Sequence, residues 1–527
     1  MPTLYLTSFN ILTATLGAFI LLFGLVSYLL KERFYLSEAL ISLLFGVAMS
    51  PHGTGWFNPL KYCLDSEENL DAVNLYYTRL VLGVQLVIAG VQLPSRYLRT
   101  EWRSLALLLG PGMIGMWVCA SLVVWACVPH LMFVEALTVG ACVTPTDPVL
   151  SAGIVKGRWA EKHVPRKLQR IIVAESGAND GLGYPFLFLG LYLLRYVVYG
   201  SGGRGGRAAE QWFVETWVYT IILSVVYGVV AGWLAKVMLK WAEDRNWVDR
   251  ESFLVFVIAL ALFITGTCGM IGSDDVLACF IAGNAFTWDD WFRKETEDDS
   301  LQPTIDMLLN LSVFAWFGAV APWVDFRVND VIPLWRLVLL GIGILVLRRI
   351  PIVLAMHKWI HQIEHWKHAG FVGFFGPIGV SAIFYLYISI DYLRTEFTED
   401  DAMREEAARL EEIMRVVIWF LAICSIVVHG MSIPLGKAGW HLPRTLSMTM
   451  STSDDGSRAP ISGRLTQALD RVRRKDPEQK PKNEVFRIGK PTPLQDRDVE
   501  VGREQPDEPL TSPSGPSSFQ SQATILR

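Results

Sequence analysis

The sequence predicts an all-α polytopic membrane protein. We expect about 13 transmembrane helices in two inverted repeats with crossed discontinuous helices, and a disordered C-terminal tail. Three observations support this fold: the composition, the recurrence of long apolar segments, and proline breaks at matching places in the two halves. Of the 527 residues, 52% are apolar and only 19% are charged, against about 25% charged in ordinary soluble proteins. Such a composition excludes a disordered chain and argues against a single soluble domain.

Charge divides the chain into two parts. About 16% of residues 1–440 are charged, whereas residues 441–527 contain 14 Lys or Arg and 12 Asp or Glu, which is about 30%. The second part is also rich in Pro and Ser, and such segments bury too little apolar surface to offset the entropy of ordering. We therefore predict a transmembrane domain over 1–440 and a cytoplasmic, mostly disordered tail over 441–527. The net charge of −4 gives no indication of nucleic-acid binding.

Apolar segments long enough to cross a bilayer recur throughout the first part. A spanning helix needs about 20 mostly apolar residues. Candidate spans one to thirteen centre on 8–30, 37–57, 73–94, 104–128, 131–153, 169–198, 212–239, 252–271, 275–288, 303–323, 331–357, 370–390 and 412–435. No Lys or Arg precedes the first span, so we expect a membrane helix there and not a cleaved signal peptide. The seven cysteines show no metal-ligand spacing, and we expect no cofactor.

Basic residues between the spans predict the orientation, because cytoplasmic loops carry an excess of Lys and Arg. With the N-terminus outside, most basic loops fall on the inner side. These loops include Lys31 and Arg33, Arg96, Arg99 and Arg103, and Lys156, Arg158, Lys162, Arg166, Lys167 and Arg170. The last outer loop is acidic, with Glu396, Glu399, Asp400 and Asp401. We predict that the tail lies in the cytoplasm.

Span five contains the polar sequence Thr144-Pro145-Thr146-Asp147-Pro148. Each proline lacks an N–H and leaves the carbonyl four residues earlier unpaired, so two prolines three apart should unwind the helix. Unwound backbone at membrane depth is tolerated only inside the protein or beside a wet cavity. A kink with a capping Asp147 is the structural alternative to a functional site.

Span twelve has a matching break. It reads Gly370-Phe-Val-Gly373-Phe-Phe-Gly376-Pro377-Ile-Gly379. If spans one to six and eight to thirteen are repeats, the two broken spans are both fifth in their halves. A matched pair of interrupted helices is the best sequence indication of a transporter site built from inverted repeats.

Span six carries acids where lipid makes charge costly. Glu175 and Asn179 share a helix face, while Asp180 lies about 140° from Glu175 around the axis. One acid can be locked in an ion pair while the other titrates. A buried arginine needs an anionic partner, and Arg348 and Arg349 in span eleven are candidates for Glu175. Alternatively, both arginines extend to the inner interface.

Further polar residues are weaker candidates. Asp274 and Asp275, between spans eight and nine, could recruit a cation or cap the next helix. Glu135, Asp306 and Asn310 lie within spans. His429 in the last span is more simply explained as a packing residue with its hydrogen bonds satisfied.

Five motifs resemble one family. TPTDPVLSAGIVKG (144–157) and VAESGANDGLGYPF (173–186) closely resemble the fungal plasma-membrane Na⁺/H⁺ antiporters of the monovalent cation/proton antiporter superfamily. Three further segments resemble the same family: GSDDVLACFIAGNAFTWDDWF (272–292), LRRIP (347–351) and GFFGPIGVSAIFY (373–385). The five motifs occur in the order expected for that family. The resemblance covers essentially all of residues 1–440.

The resemblance implies a thirteen-span plasma-membrane homodimer that exchanges cytoplasmic Na⁺ for external H⁺ in salt tolerance and in pH and cation homeostasis. Whether Li⁺ or K⁺ is also carried stays open, as does the stoichiometry. The resemblance implies that Asp180 holds Na⁺ and a proton in turn, with Asn179 beside it and Thr144, Thr146 and Asp147 at the helix crossing. It also implies that Glu175 pairs with the span-eleven arginine, for which Arg349 aligns best, and that Asp274 and Asp275 have a functional role.

One carboxylate can run such an exchange, because a protonated Asp180 excludes the cation and a cation-bound Asp180 excludes the proton. We do not expect an enzyme: an intramembrane aspartyl protease would need an acid at Tyr184, after Gly181-Leu182-Gly183. A channel would need a filter loop or a charged ring, which we do not find. The alternative is a transport-dead membrane sensor or scaffold that signals through its tail.

Overall fold

The computed structural model describes residues 8–148, 150–151, 164–200, 205–296, 299–399 and 402–450. The chain divides after Met450, and all of the described residues lie in the first part, Met1–Met450. The predicted tail begins at 441, but the last helix, Glu405–Met450, continues through residues 441–450. The predicted disorder of the rest, 451–527, falls outside the described residues. So do the inner-loop residues Lys156, Arg158 and Lys162 and the outer-loop residues Asp400 and Asp401.

Helices account for nearly all of the described structure, as predicted. The spans are built from the helices Ser8–Tyr28, Glu38–Met49, Glu67–Gln92, Trp102–Leu107, Met113–Cys127, Phe133–Cys142, Arg166–Gly181, Tyr184–Leu193, Gly205–Gln211, Leu223–Glu243, Arg250–Ile271, Asp275–Phe286, Leu301–Val320, Leu334–Leu347, Ile350–Met356, Trp366–Phe374, Val380–Phe397 and Glu405–Met450. Short π-helical segments extend or join several of them at Leu29–Arg33, Leu108–Gly112, Leu194–Val198 and Trp212–Ile222.

Connecting elements are short. Helices of four or five residues lie at Pro59–Tyr62, Tyr97–Thr100 and Trp291–Glu295, and a 3₁₀ turn covers His357–Trp359. Before the last span, Thr398–Glu399 pairs antiparallel with Ala402–Met403. This two-residue ladder is the β-structure that the described ranges contain.

The thirteen predicted spans can be matched to this structure one by one. Over the described residues, nine continuous helical segments are long and apolar enough to cross a membrane, and Glu38–Met49, Phe133–Cys142 and Asp275–Phe286 are shorter apolar helices. Span twelve consists of the two helices Trp366–Phe374 and Val380–Phe397. The short helix Phe133–Cys142 ends just before the proline motif of span five, so both predicted breaks are present.

Two glycine contacts reveal the relationship between the halves. A Cβ added to Gly46 in span two would lie 3.0 Å from the Cα of Gly318 in span ten, and one added to Gly90 in span three would lie 3.0 Å from the Cα of Gly283 in span nine. Spans two and three correspond to spans nine and ten if the repeats are one to six and eight to thirteen. Each contact is therefore the repeat counterpart of the other, as two inverted repeats require.

Candidate cation-binding site

The two helix breaks meet at the centre of the structure. The backbone N–H of Asp147 donates to the carbonyl oxygen of Pro377 at 3.0 Å. The Asp147 carboxylate accepts the N–H of Leu150 at 3.3 Å and the N–H of Val380. It occupies the space that a side chain on Gly379 would need. Asp147 thus accepts backbone N–H groups just after the break in each of the two spans.

Arg348 binds backbone carbonyl groups at the same crossing, whereas Asp147 binds backbone N–H groups. Its guanidinium donates to the carbonyl oxygens of Val143, of Pro145 at 3.2 Å, and of Gly376. These carbonyls follow the C-terminal ends of the first halves of the two broken spans. Helix N-termini carry partial positive charge and C-termini partial negative charge, so an acid and a base each stabilise one pair of facing helix ends. Arg348 is 3% exposed and lies in the protein interior.

Arg349 points in a different direction and pairs with Glu175. Its two terminal nitrogens donate to the two carboxylate oxygens of Glu175 at 2.6 and 2.7 Å. A third bond runs from its Nε to the carbonyl oxygen of Val372 at 3.0 Å. Both side chains are buried. These bonds join spans six, eleven and twelve, and both carboxylate oxygens of Glu175 are engaged by the arginine.

Asn179 and Thr146 hold span six against the break in span five. The Asn179 amide oxygen accepts the backbone N–H of Thr146 at 3.1 Å, and its amide nitrogen donates to the Thr146 hydroxyl at 2.8 Å. The Thr146 hydroxyl also lies 3.0 Å from the hydroxyl of Ser176. Thr144, by contrast, donates to the carbonyl oxygen of Gly140 in its own helix at 2.8 Å.

Asp180 differs from its polar neighbours because its carboxylate is unsatisfied. The residue has 0% exposure, and neither carboxylate oxygen has a hydrogen-bond partner in the described part of the chain. Its backbone is held firmly, since the Tyr385 hydroxyl donates to the carbonyl oxygens of Asp180 and of Gly181, the latter at 3.2 Å. A buried carboxylate without partners is costly unless it binds a proton or a cation.

Asp274 and Asp275 begin span nine close to the end of the span-six helix. Asp274 caps the span-nine helix by accepting the N–H of Leu277 at 3.0 Å with one carboxylate oxygen. Its other oxygen has no partner among the described residues. Asp275 accepts a hydrogen bond from Arg79 at 2.8 Å. A Cβ added to Gly181 would lie 3.0 Å from the backbone nitrogen of Leu277, so span six packs directly on this helix start.

A cavity of about 450 Å³ approaches this region along spans six and seven. Tyr184 and Ser273 line it, as does Glu215 from span seven. Tyr184 lies four residues after Asp180, and Ser273 directly precedes Asp274. The cavity therefore brings open volume next to the helix start that carries Asp274.

The weaker candidates have structural partners. Glu135 accepts the N–H of Met132 at 2.8 Å and thereby caps its own helix. Asp306 and Asn310 both accept from the amide nitrogen of Gln85, at 3.3 and 2.8 Å. The ring nitrogens of His429 lie 2.9 Å from the carbonyl oxygen of Phe374 and 2.8 Å from that of Ser425. These hydrogen bonds of the four side chains are made to groups other than Asp180.

Sequence reasoning missed three participants. Arg79 had a usable signal, because it is a single basic residue within span three and the rule applied to the acids covers it equally. Ser176 and Tyr385 had none, since a hydroxyl inside an apolar helix is common and its partner depends on which helix lies opposite. The structure brings together Asp147, Thr146, Ser176, Asn179, Asp180, Glu175, Arg348, Arg349 and Tyr385.

Two interrupted helices that cross inside a helical bundle, with a buried unsatisfied carboxylate nearby, are the arrangement typical of transporters built from inverted repeats. Residues 17–436 match the family model described as "Sodium/hydrogen exchanger, transmembrane". The chain belongs to this family of sodium/hydrogen exchangers, which confirms the resemblance drawn from the motifs.

Similar proteins come from yeasts and from an archaeon. Na(+)/H(+) antiporter 2 of Zygosaccharomyces rouxii is 37% identical over 85% of this chain and 55% of its own length. The Na(+)/H(+) antiporter of Saccharomyces cerevisiae is 36% identical over 83% of this chain and 44% of its own length. The chain thus spans about half the length of these relatives. The sodium proton antiporter MjNhaP1 of Methanocaldococcus jannaschii shares the fold, with a TM-score of 0.58 and 15% identity over 81% of this chain and 96% of that structure.

Proposed function

We propose that the protein is a secondary antiporter that exchanges Na⁺ for H⁺ by alternating access, with Asp180 as the shared binding group. The observation that carries this proposal is the Asp180 carboxylate, which is fully buried and has no hydrogen-bond partner in the described residues. Its neighbours Glu175, Asn179 and Asp147 are engaged with protein groups. Among these four side chains, Asp180 is therefore the one left available to an exchangeable ligand.

Competition for one carboxylate couples the two ions. Burial in a medium of low polarity disfavours the charged form of a carboxyl group, so Asp180 without a cation binds a proton. Na⁺ restores a counter-charge and displaces that proton. Because neither ligand can bind while the other is present, each passage of the site across the membrane carries one or the other.

The crossing supplies a movable frame for this exchange. Spans five, six, eleven and twelve are joined by the Asp147, Arg348 and Glu175–Arg349 contacts and would move as one body. Rocking such a body against the remaining spans is the general route by which inverted-repeat transporters expose a site to each side in turn. The opposite charges that cap the four helix ends keep the unwound segments intact during this movement.

We further propose a plasma-membrane homodimer with the N-terminus outside and the tail in the cytoplasm, which exports Na⁺ from the cytoplasm in exchange for external H⁺. Charge distribution in the loops and the similarity to yeast Na(+)/H(+) antiporters support this arrangement. The oxygen-rich surroundings of Asp180 suit Li⁺ and K⁺ as well as Na⁺. We infer a role in salt tolerance and in pH and cation homeostasis.

The decisive experiment measures proton flux driven by a Na⁺ gradient in proteoliposomes that contain wild type or Asp180→Asn. We expect the variant to fold, because asparagine has nearly the same shape, and to lose exchange completely. For wild type, we expect the apparent KM for Na⁺ to rise as the pH falls, since protons compete for the same carboxylate.

Normal exchange by Asp180→Asn would contradict the assignment. Wild type that binds Na⁺ yet moves no protons would favour a transport-dead sensor or scaffold instead.

A further inference from the structure

Three buried oxygen atoms without hydrogen-bond partners occur on two facing helices. Two are the carboxylate oxygens of Asp180 in span six, and the third is the hydroxyl oxygen of Ser381 at the start of the helix Val380–Phe397. Ser381 is 1% exposed. Among the residues that the structure describes, neither side chain is satisfied by protein, which is unusual for buried polar groups.

Helix geometry places the Ser381 hydroxyl opposite Asp180. Ser381 and Tyr385 are four residues apart and therefore share a helix face. Tyr385 reaches the carbonyl oxygens of Asp180 and Gly181, so this face is directed at the end of the span-six helix. The Ser381 hydroxyl lies close enough to the Asp180 carboxyl group to interact with it, yet no hydrogen bond of regular geometry joins the two side chains.

Other hydroxyls in the spans are used differently. Serine and threonine inside helices commonly donate to the carbonyl oxygen four residues earlier, as Thr138 does to Val134 and Ser389 does to Tyr385 at 2.7 Å. The corresponding carbonyl for Ser381 is that of Pro377, which already accepts the backbone N–H of Asp147. Because Pro377 precedes the start of the helix Val380–Phe397, Ser381 has no carbonyl one turn earlier in its own helix, and its hydroxyl has no other partner among the described residues.

We propose that Ser381 is a cation ligand opposite Asp180, which makes span twelve a direct part of the ion site. This proposal rests on the proposed exchange function. Hard cations prefer oxygen ligands, and a hydroxyl adds a neutral oxygen to the carboxylate without adding charge. A cation held between the two side chains would satisfy all three unpartnered oxygens at once.

The test uses three substitutions at Ser381 and one matched control. Ser381→Ala removes the oxygen, Ser381→Cys replaces it with a soft sulfur at similar volume, and Ser381→Thr retains it. Ser389→Ala is the control, because Ser389 is also buried on the same helix but bonds only to backbone and to Cys142. Each purified variant is assayed for Na⁺-driven proton flux in proteoliposomes and for the rise in melting temperature that added NaCl produces.

We expect Ser381→Ala and Ser381→Cys to raise the apparent KM for Na⁺ about ten-fold, the usual effect of losing one bond to a charged group. The NaCl-dependent rise in melting temperature should shrink in both, since a ligand stabilises only in proportion to its occupancy. Ser381→Thr should stay close to wild type in both measurements. Ser389→Ala should keep the wild-type KM even if its melting temperature falls.

A wild-type KM and a wild-type NaCl response in both Ser381→Ala and Ser381→Cys would overturn the proposal. An increased KM in Ser389→Ala equal to that in Ser381→Ala would also overturn it, because the effect would then be structural. If the wild-type protein itself shows no exchange, the proposed function fails. Wild-type exchange together with unaffected Ser381 variants refutes only the role of Ser381.

Discussion

The ion pair between Glu175 and Arg349 offers a quantitative test of how the core is held together. The substitution Glu175→Gln keeps the size of the side chain and removes its charge. Arg349 is 3% exposed and donates two hydrogen bonds of 2.6 and 2.7 Å to this carboxylate. After the substitution, Arg349 has only neutral acceptors among the described residues: the glutamine oxygen, the carbonyl oxygen of Val372 at 3.0 Å and the sulfur of Met116 at 3.6 Å. The variant therefore buries an arginine without a counter-charge.

Removing one partner of a buried ion pair costs about 3–5 kcal/mol. The entropy of unfolding scales with length, so a domain of this size loses about 1 °C of melting temperature per kcal/mol. We therefore expect Glu175→Gln to melt about 3–5 °C below wild type. The measurement is a thermal melt of detergent-purified protein, followed by the loss of its monodisperse peak.

The double variant Glu175→Gln/Arg349→Gln separates charge from packing. Because it leaves no unpaired charge, its melting temperature should lie between those of Glu175→Gln and wild type. A wild-type melting temperature for Glu175→Gln would refute the reasoning. A double variant that is less stable than the single one would show that the ion pair stabilises through packing.

Two further predictions concern contacts away from the crossing. Asp71, 6% exposed, accepts two bonds of 2.8 Å from Arg415, so Asp71→Asn should cost about 3 kcal/mol. Glu396, which is 25% exposed and pairs with Arg195, is the control, and Glu396→Gln should cost less than about 1 kcal/mol. Equal melting temperatures of the two variants would contradict this. Gly283→Leu should abolish a folded peak in size-exclusion chromatography, because the backbone of span three fills the space of its side chain. Gly266→Leu, with nothing within 4 Å of its added Cβ, should fold, and equal yields would argue against the close packing.

Much of the fold could be predicted from local patterns. The spans follow from runs of apolar residues, which need no partner to be recognised. Both helix breaks follow from proline, which lacks an N–H wherever it stands. The acids and arginines of the site were identifiable because charge at membrane depth is costly in any context. Whether the tail is disordered stays a prediction, since residues 451–527 lie outside the described structure.

The roles within the site depend on contacts between distant segments. Arg348 and Arg349 are neighbours in sequence, yet the helix Leu334–Leu347 ends before them and Ile350–Met356 begins after them. This interruption sends one side chain to the carbonyls of the crossing and the other to Glu175. No local pattern distinguishes two adjacent arginines, so their division of tasks appears only in three dimensions.

The same holds for the two central aspartates. Residue type and membrane depth make Asp147 and Asp180 equivalent candidates in the amino-acid sequence. Packing of span twelve against span five brings the N–H of Val380 to Asp147, whereas no described donor reaches the Asp180 carboxylate. Apolar runs and prolines act through the chain's own backbone and can be recognised locally. The availability of a carboxylate depends on which donors other helices bring to it, and only the folded chain determines that.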